Sequence, residues 1–322
     1  MDIDIDIDIK KELSGVRENV SLAEYTTFKI GGKARYFYIA ENKQDLIRVI
    51  KIIKRFKIPF FILSGGSNIL FSDKGFNGIV IKFQACHYKL QGNNIYVESG
   101  LMLDKLSKIV KNEMLTGLEW GAGIPGTIGG AIYGNAQAFG SRISDSIKEV
   151  EALNTETLEI QKILKKDCLF SLKNGIFKEN KNLIILSAIF EFKKADEIEI
   201  EKKIEEFLNY RKTRHPLKYP SAGSVFINPE IKISSLKLLK EFPEIEELNK
   251  KGIIHSGWLI EKCGLKGKQI GKAKFSDGHA NFIVNLGGAK SKDVLALIKL
   301  AKQKIKEKFG IELKEEIQIV NY

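Results

Sequence analysis

Cysteine is scarce in this sequence. Cys86, Cys168 and Cys263 are the only three in 322 residues, too few and too scattered for a disulfide framework or a zinc cluster. A reducing cytoplasm fits that usage best. There are four histidines, and no histidine or cysteine spacing supports a metal, so none is expected. No uninterrupted apolar run approaches the roughly 20 residues of a membrane span, and no membrane partner is expected. The opening stretch, MDIDIDIDIK, lacks a basic n-region and an apolar h-region, so no signal peptide is expected. Arginine is rare as well, 7 residues beside 45 lysines.

That imbalance shapes the reading of the charge. A net charge of +12 can mark a nucleic-acid binder. Here the lysines spread over nearly the whole chain and alternate with glutamate, as in Lys304, Lys306, Glu307 and Lys308. This reads as a solvated surface, although clefts in it would draw in anionic small molecules. No zinc-finger or RNP pattern is present, and no nucleic-acid partner is expected. With 43% apolar and 29% charged residues, the chain reads as an ordinary soluble globular protein. At roughly 100–200 residues per domain it holds two or three domains.

The terminal Asp-Ile repeat has the period of a strand, and its position predicts a frayed or edge segment. Ala34–Ala40 has strand composition. Asn42 predicts a helix cap, with Asp45 completing a capping-box-like start, and Leu46, Val49, Ile50, Ile53 and Phe56 fall at helical spacing. Pro59 ends that helix, and Phe60–Leu63 reads as a short buried strand. Gly78–Phe83, Asn94–Val97 and Leu183–Phe192 read as strands, and Leu103–Asn112 as an amphipathic helix. A helix over Ala195–Arg214 would bury Ile198, Ile200, Ile204 and Phe207, and a domain boundary falls there. Ser291 opens the last helix, with Val294, Ile298, Ala301 and Ile305 as its core stripe. A strand over Glu315–Val320 closes the chain.

Two glycine-rich runs carry the chemistry. One is Ser64-Gly65-Gly66-Ser67-Asn68, where a strand stops and the chain turns at once. The other spans Gly121, Ala122, Gly123, Ile124, Pro125, Gly126, Thr127, Ile128, Gly129 and Gly130. Glycine permits positive φ and removes the Cβ, so successive N–H groups can converge on one anion. A helix starting at Ile128 would favour a pyrophosphate at its N-terminus. Each run also reads as an ordinary tight turn. Neither fits the Rossmann fingerprint or a P-loop, which leaves two separate loops flanking one dinucleotide.

In order along the chain, Thr26–Gly32, Leu63–Asn68, Gly121–Ala131 with Asn135-Ala136, Tyr219–Pro229, Gly257–Glu261, Gly264–Gly267 and Ser276–Phe282 resemble the UDP-N-acetylenolpyruvoylglucosamine reductase family. The resemblance spans about residues 20–320. It implies an α+β protein with a three-domain, non-covalent FAD-binding fold of the vanillyl-alcohol-oxidase type and a separate α+β substrate domain. The expected division is residues 1–83 with the closing strand 313–322, residues 84–196, and residues 197–312 for substrate. The Tyr-Pro-Ser-x-Gly-Ser stretch resembles the shorter members without an extra substrate-capping loop. A monomer is expected.

The resemblance further implies a two-stroke reaction: NADPH reduces FAD, then the enolpyruvyl ether of UDP-N-acetylglucosamine takes hydride at its vinyl carbon and a proton at the α-carbon. FAD contacts are expected from Thr27, Ser64–Asn68, Gly121–Thr127, Gly129, Gly130, Asn135 and Ala136. Ser224 matches the family's proton donor; it also reads as a turn hydroxyl. Glu316 matches a second catalytic group and also reads as a surface glutamate. Glu315, on the other strand face, would lack the role.

The third catalytic position departs from the family pattern Phe-x-Tyr-Arg-x-Ser: after Phe170, this chain has Leu172, Lys173 and Gly175 in place of tyrosine, arginine and serine. Lysine keeps the charge and loses the planar fork. Either Lys173 carries the role less well, or Arg211 or Arg214 compensates. Gln318 is a second departure, where relatives often have arginine. Arg211, Arg214 and Lys218 are candidate ligands for the substrate carboxylate or diphosphate, and equally a basic helix end. Asn228 is a substrate contact by family position, and His279 is a candidate for structural service or substrate binding. Two other readings compete: a flavin oxidase of the same fold, which would often link flavin to a histidine near the first glycine run, where none stands, and a basic nucleic-acid-binding protein.

Overall fold

The computed structural model describes residues 9–320, so the Asp-Ile repeat up to Asp8 lies outside the described residues. The chain divides into two compact units. Of the described residues, the first holds 9–20, 33–66 and 76–211, and the second 21–32, 67–75 and 212–320.

The first unit is built on two sheets. One has the strand order Arg17–Ser21, Lys33–Ala40, Phe76–Phe83, Phe60–Leu63, with the last three strands parallel. Helix Lys43–Arg55 connects two of them and buries Leu46, Val49, Ile50 and Ile53. Asn42 caps it by accepting from the Asp45 N–H at 2.9 Å. The Asp45 carboxylate does not complete a capping box: it accepts from the Tyr38 hydroxyl at 3.0 Å and the Arg48 guanidinium at 2.8 Å. A cation and a phenol outcompete one backbone N–H for a carboxylate. In Phe60–Leu63 only Leu63 is buried, because the strand forms the edge of its sheet.

The second sheet is antiparallel, in the order Ile160–Leu164, Ile147–Asn154, Leu183–Glu191, Asn94–Glu98, Tyr88–Gln91. Its central strand serves two cores. Leu183 and Ile185 join the cluster around Trp120, Ile128, Phe177 and Leu103, whereas Ile184 and Leu186 join the one around Leu46, Ile50, Tyr36 and Ile81. Two cores on two faces follow from the period-two alternation of a strand. The pairing register shifts between Glu151 and Ala152, so that Leu186 is passed over and Ser187 faces Glu151. This bulge puts Ala188 and Phe190 into the first of these clusters.

Helix Leu103–Asn112 has the bounds its spacing predicts. Helix Glu197–Arg214 buries Ile200 but leaves Ile198 75% exposed. Ile198 and Ile200 stand two residues apart, about 200° around a helix of 3.6 residues per turn, so only one of them can face the core.

In the second unit, Ser221–Ser224, Phe282–Asn285, Ala273–Phe275 and Gln269–Ile270 form an antiparallel sheet. Helix Ser291–Phe309 buries Val294, Leu297, Ile298, Ala301 and Ile305 in that unit's core. The closing strand is shorter than its composition predicts, Gln318–Val320, and runs parallel to Ile69–Phe71. Upstream of it the chain pairs instead with the segment after Ser224, through a bridge between Phe226 and Glu315.

Candidate active site

In the first unit the two glycine runs meet. The Ser64 and Thr127 hydroxyls hydrogen-bond to each other. A Cβ on Gly65 would stand 3.3 Å from the Thr127 backbone nitrogen and 3.4 Å from the Pro125 carbonyl oxygen, a tight fit that would push these backbones apart by a few tenths of an ångström. Gly66 turns the chain with φ +64°.

The N–H groups of the second run divide into two sets. Those of Gly121, Ala122 and Ile124 donate to Leu118, Glu119 and Gly121 carbonyls, and that of Gly123 to the Asp104 carboxylate at 2.7 Å. The N–H groups of Ile128 and Gly129 donate to Leu101 and Ser99 carbonyls, and that of Gly130 reaches the Thr127 hydroxyl at 3.4 Å. The expectation that the whole run offers its amides is thereby corrected. What remains are the N–H groups of Gly126 and Thr127, together with those of Gly65 and Gly66, which donate to nothing among the described residues. Gly66 and Thr127 are buried. Gly65 and Gly126 are half-buried, and clustered donors without protein acceptors in such backbone point to a ligand.

Asn135 follows the short helix Ile128–Tyr133 and is fully buried. Its Nδ2 donates to the Ser171 carbonyl at 2.8 Å, and its Oδ1 has no partner. Ser171 begins a tight turn closed by paired backbone bonds with Asn174, 3.0 and 3.3 Å long. Lys173 stands in that turn at φ +53°, a conformation that costs a non-glycine residue about 1–2 kcal/mol. Ala136 donates its N–H to Ala131 and accepts from Ile143, which leaves it a structural position. Arg211 is 8% exposed, and its guanidinium faces protein: Nη2 donates to the Trp120 carbonyl at 2.8 Å and Nε to the Ala122 carbonyl at 3.1 Å. Burial pushes the Cys168 thiol up to about 12, so no thiolate nucleophile arises there.

In the second unit, a bulge sets Ser224. Ser221 pairs with Val284 and Ser224 with Phe282, so one more residue lies on the Ser224 strand than on its partner. Gly223, at φ +74°, absorbs the bend. The Ser224 hydroxyl is half-buried and has no hydrogen-bond partner among the described residues. Val225, next to it, accepts the Glu316 N–H at 2.7 Å, so one backbone bond ties the two catalytic candidates together. The Glu316 carbonyl accepts from Asn68 Nδ2 at 3.0 Å. Glu315 instead pairs with Lys302 at 2.8 Å.

Asn228 accepts the Ser256 N–H at 2.9 Å, at the start of helix Ser256–Lys262, and keeps its Nδ2 for another acceptor. Thr27 donates its hydroxyl to the Ser221 carbonyl at 2.7 Å. Arg214 and Lys218 are exposed. His279 packs against His215 and Phe282, with centroids 5.7 and 4.9 Å away. Its Nδ1 accepts the Asn281 N–H, and burial holds it below the usual imidazole range, which describes a neutral ring.

The unpartnered amides of the first unit fit a dinucleotide: a diphosphate offers several acceptors to clustered N–H groups, and the glycines leave room for it. Comparison with known proteins agrees. Residues 34–161 match the model of an FAD binding domain, and residues 215–320 that of the UDP-N-acetylenolpyruvoylglucosamine reductase C-terminal domain. A protein named UDP-N-acetylenolpyruvoylglucosamine reductase from Caldicellulosiruptor bescii is 40% identical over 302 residues, covering 93% of this chain and 88% of that protein. One of the same name from Bacillus subtilis is 35% identical, covering 97% of this chain and 96% of that protein. The crystal structure of the Thermus caldophilus reductase aligns with a TM-score of 0.75 at 28% identity, over 95% of this chain and 100% of that one. The paired glycine turns, the Ser224 bulge and these full-length similarities together establish that the chain belongs to the UDP-N-acetylenolpyruvoylglucosamine reductase family.

Proposed function

We propose that this protein reduces the enolpyruvyl ether of UDP-N-acetylglucosamine to UDP-N-acetylmuramate with NADPH, a cytoplasmic step of peptidoglycan synthesis. The observation that carries the reading is the convergence of Gly65 on Thr127, with the N–H groups of Gly65, Gly66, Gly126 and Thr127 donating to nothing among the described residues and so left for an anionic cofactor. Gly65, Gly66, Gly126 and Thr127 would hold the diphosphate of FAD. Bound FAD supplies the hydride, taken from NADPH, for the vinyl carbon of the substrate.

Hydride addition leaves negative charge on the α-carbon and its carboxylate. The open Ser224 hydroxyl donates the proton that the α-carbon needs. A serine suits this role because it stays protonated until a strong base meets it. The Lys173 ammonium offsets the charge on the carboxylate. Glu316 hydrogen-bonds the intermediate, while Arg214, Lys218 and the Asn228 Nδ2 are ligands for the nucleotide part of the substrate.

Anaerobic titration tests the whole reading: NADPH should bleach the flavin spectrum, and the enolpyruvyl nucleotide should restore it. Bleaching without restoration, or a colourless protein that refuses FAD, would refute it. Glu316 has its own test. Glu316→Gln is expected to lower turnover by about 10²-fold or more. Glu315→Gln loses only a half-exposed ion pair with Lys302, worth about 1 kcal/mol at most, and should change turnover little. Equal losses in the two variants would remove Glu316 from the mechanism.

A further inference from the structure

Arg211 lies on the last turn of helix Glu197–Arg214, within the first unit. Among the described residues it has no carboxylate partner. Its planar fork spans two carbonyls of one short segment, Trp120 and Ala122. Its guanidinium also lies 5.2 Å from the centroid of Phe139, which is stacked on Phe207 at 4.2 Å. From the other side, the Asp104 carboxylate holds the Gly123 N–H at 2.7 Å. Burial pushes that carboxyl up, but the Lys108 ammonium and the Gly123 N–H outweigh it and keep it ionised. Residues 120–123 are thus tethered by a cation through their carbonyls and by an anion through an amide. Three residues on stand Gly126 and Thr127, whose N–H groups are the unpartnered ones.

We propose that Arg211 is a positioning residue for FAD: with Asp104 it braces residues 120–123, and so sets where the Gly126 and Thr127 N–H groups meet the cofactor diphosphate. This goes beyond the substrate-ligand expectation for Arg211 and rests on the FAD-binding reading. Lysine cannot replace the fork, because one ammonium on a flexible stem does not hold two carbonyls in a fixed plane. Preorganised donors bind tightly because their ordering is complete before the ligand arrives.

The test is FAD affinity of the full-length apoprotein, followed by quenching of FAD fluorescence, with the apoprotein's thermal midpoint measured alongside. Arg211→Gln, Arg211→Lys and Asp104→Asn are each expected to weaken FAD binding by about 10-fold or more. The FAD-induced rise in midpoint should shrink in step, with a smaller change in the apoprotein's own midpoint. Because both tethers act on the same four residues, Arg211→Gln with Asp104→Asn should weaken binding by clearly less than the product of the two single effects. Wild-type affinity in Arg211→Lys, multiplicative losses in the double variant, or an apoprotein that fails to fold in all three single variants would overturn the proposal. Failure of the wild-type protein itself to bind FAD would instead refute the cofactor reading.

Discussion

Ser224→Ala should leave NADPH bleaching of the flavin intact while slowing restoration by the enolpyruvyl nucleotide at least ~10²-fold. The asymmetry follows from where the hydroxyl sits. It is half-buried, has no partner to lose, and lies at a bulge whose bend Gly223 takes up, so its removal leaves no buried group stranded. The fold should therefore hold, and the loss should fall on the half-reaction that needs a proton at carbon. Stopped-flow absorbance resolves the two phases. Equal slowing of both would assign Ser224 to cofactor or fold instead of to proton donation.

The second large effect is expected at Lys173. The residue is held at φ +53° by the Ser171–Asn174 turn, and the turn is anchored through the Ser171 carbonyl to the fully buried Asn135. Glycine takes that conformation at no steric cost, although it also gains about 0.5–1 kcal/mol of unfolded-state freedom relative to alanine. Lys173→Gly should thus keep the turn, yet turn over ~10²-fold more slowly for want of the cation. Lys173→Arg should keep the activity or raise it, because the fork grips a carboxylate through two bonds. Unchanged turnover in Lys173→Gly would dismiss the catalytic role of Lys173.

Much of this was legible in the sequence where one element determines its own outcome. The apolar spacing of Leu103–Asn112 and of Val294, Ile298, Ala301 and Ile305 appears directly as buried faces. Asn42 caps its helix as its side chain allows. Legibility fails where a distant partner decides. Nothing local says that Asp45 answers to Tyr38 and Arg48, or that the Gly121–Ile124 amides are used inside the protein while those of Gly126 and Thr127 are not. A count of glycines measures permission to turn, whereas the hydrogen-bond accounting reveals which donors are left for a ligand. Arg211 illustrates the same limit. Its position at a basic helix end suggests a ligand for anions, and only the fold reveals the two carbonyls it grips.

Strand Leu183–Glu191 lends alternate side chains to two separate hydrophobic clusters. Neither cluster can dissolve without exposing the other, because both lean on one length of backbone. The first unit should therefore melt as one cooperative piece, carrying its glycine turns with it, so that probes placed on either side of that strand would report one transition.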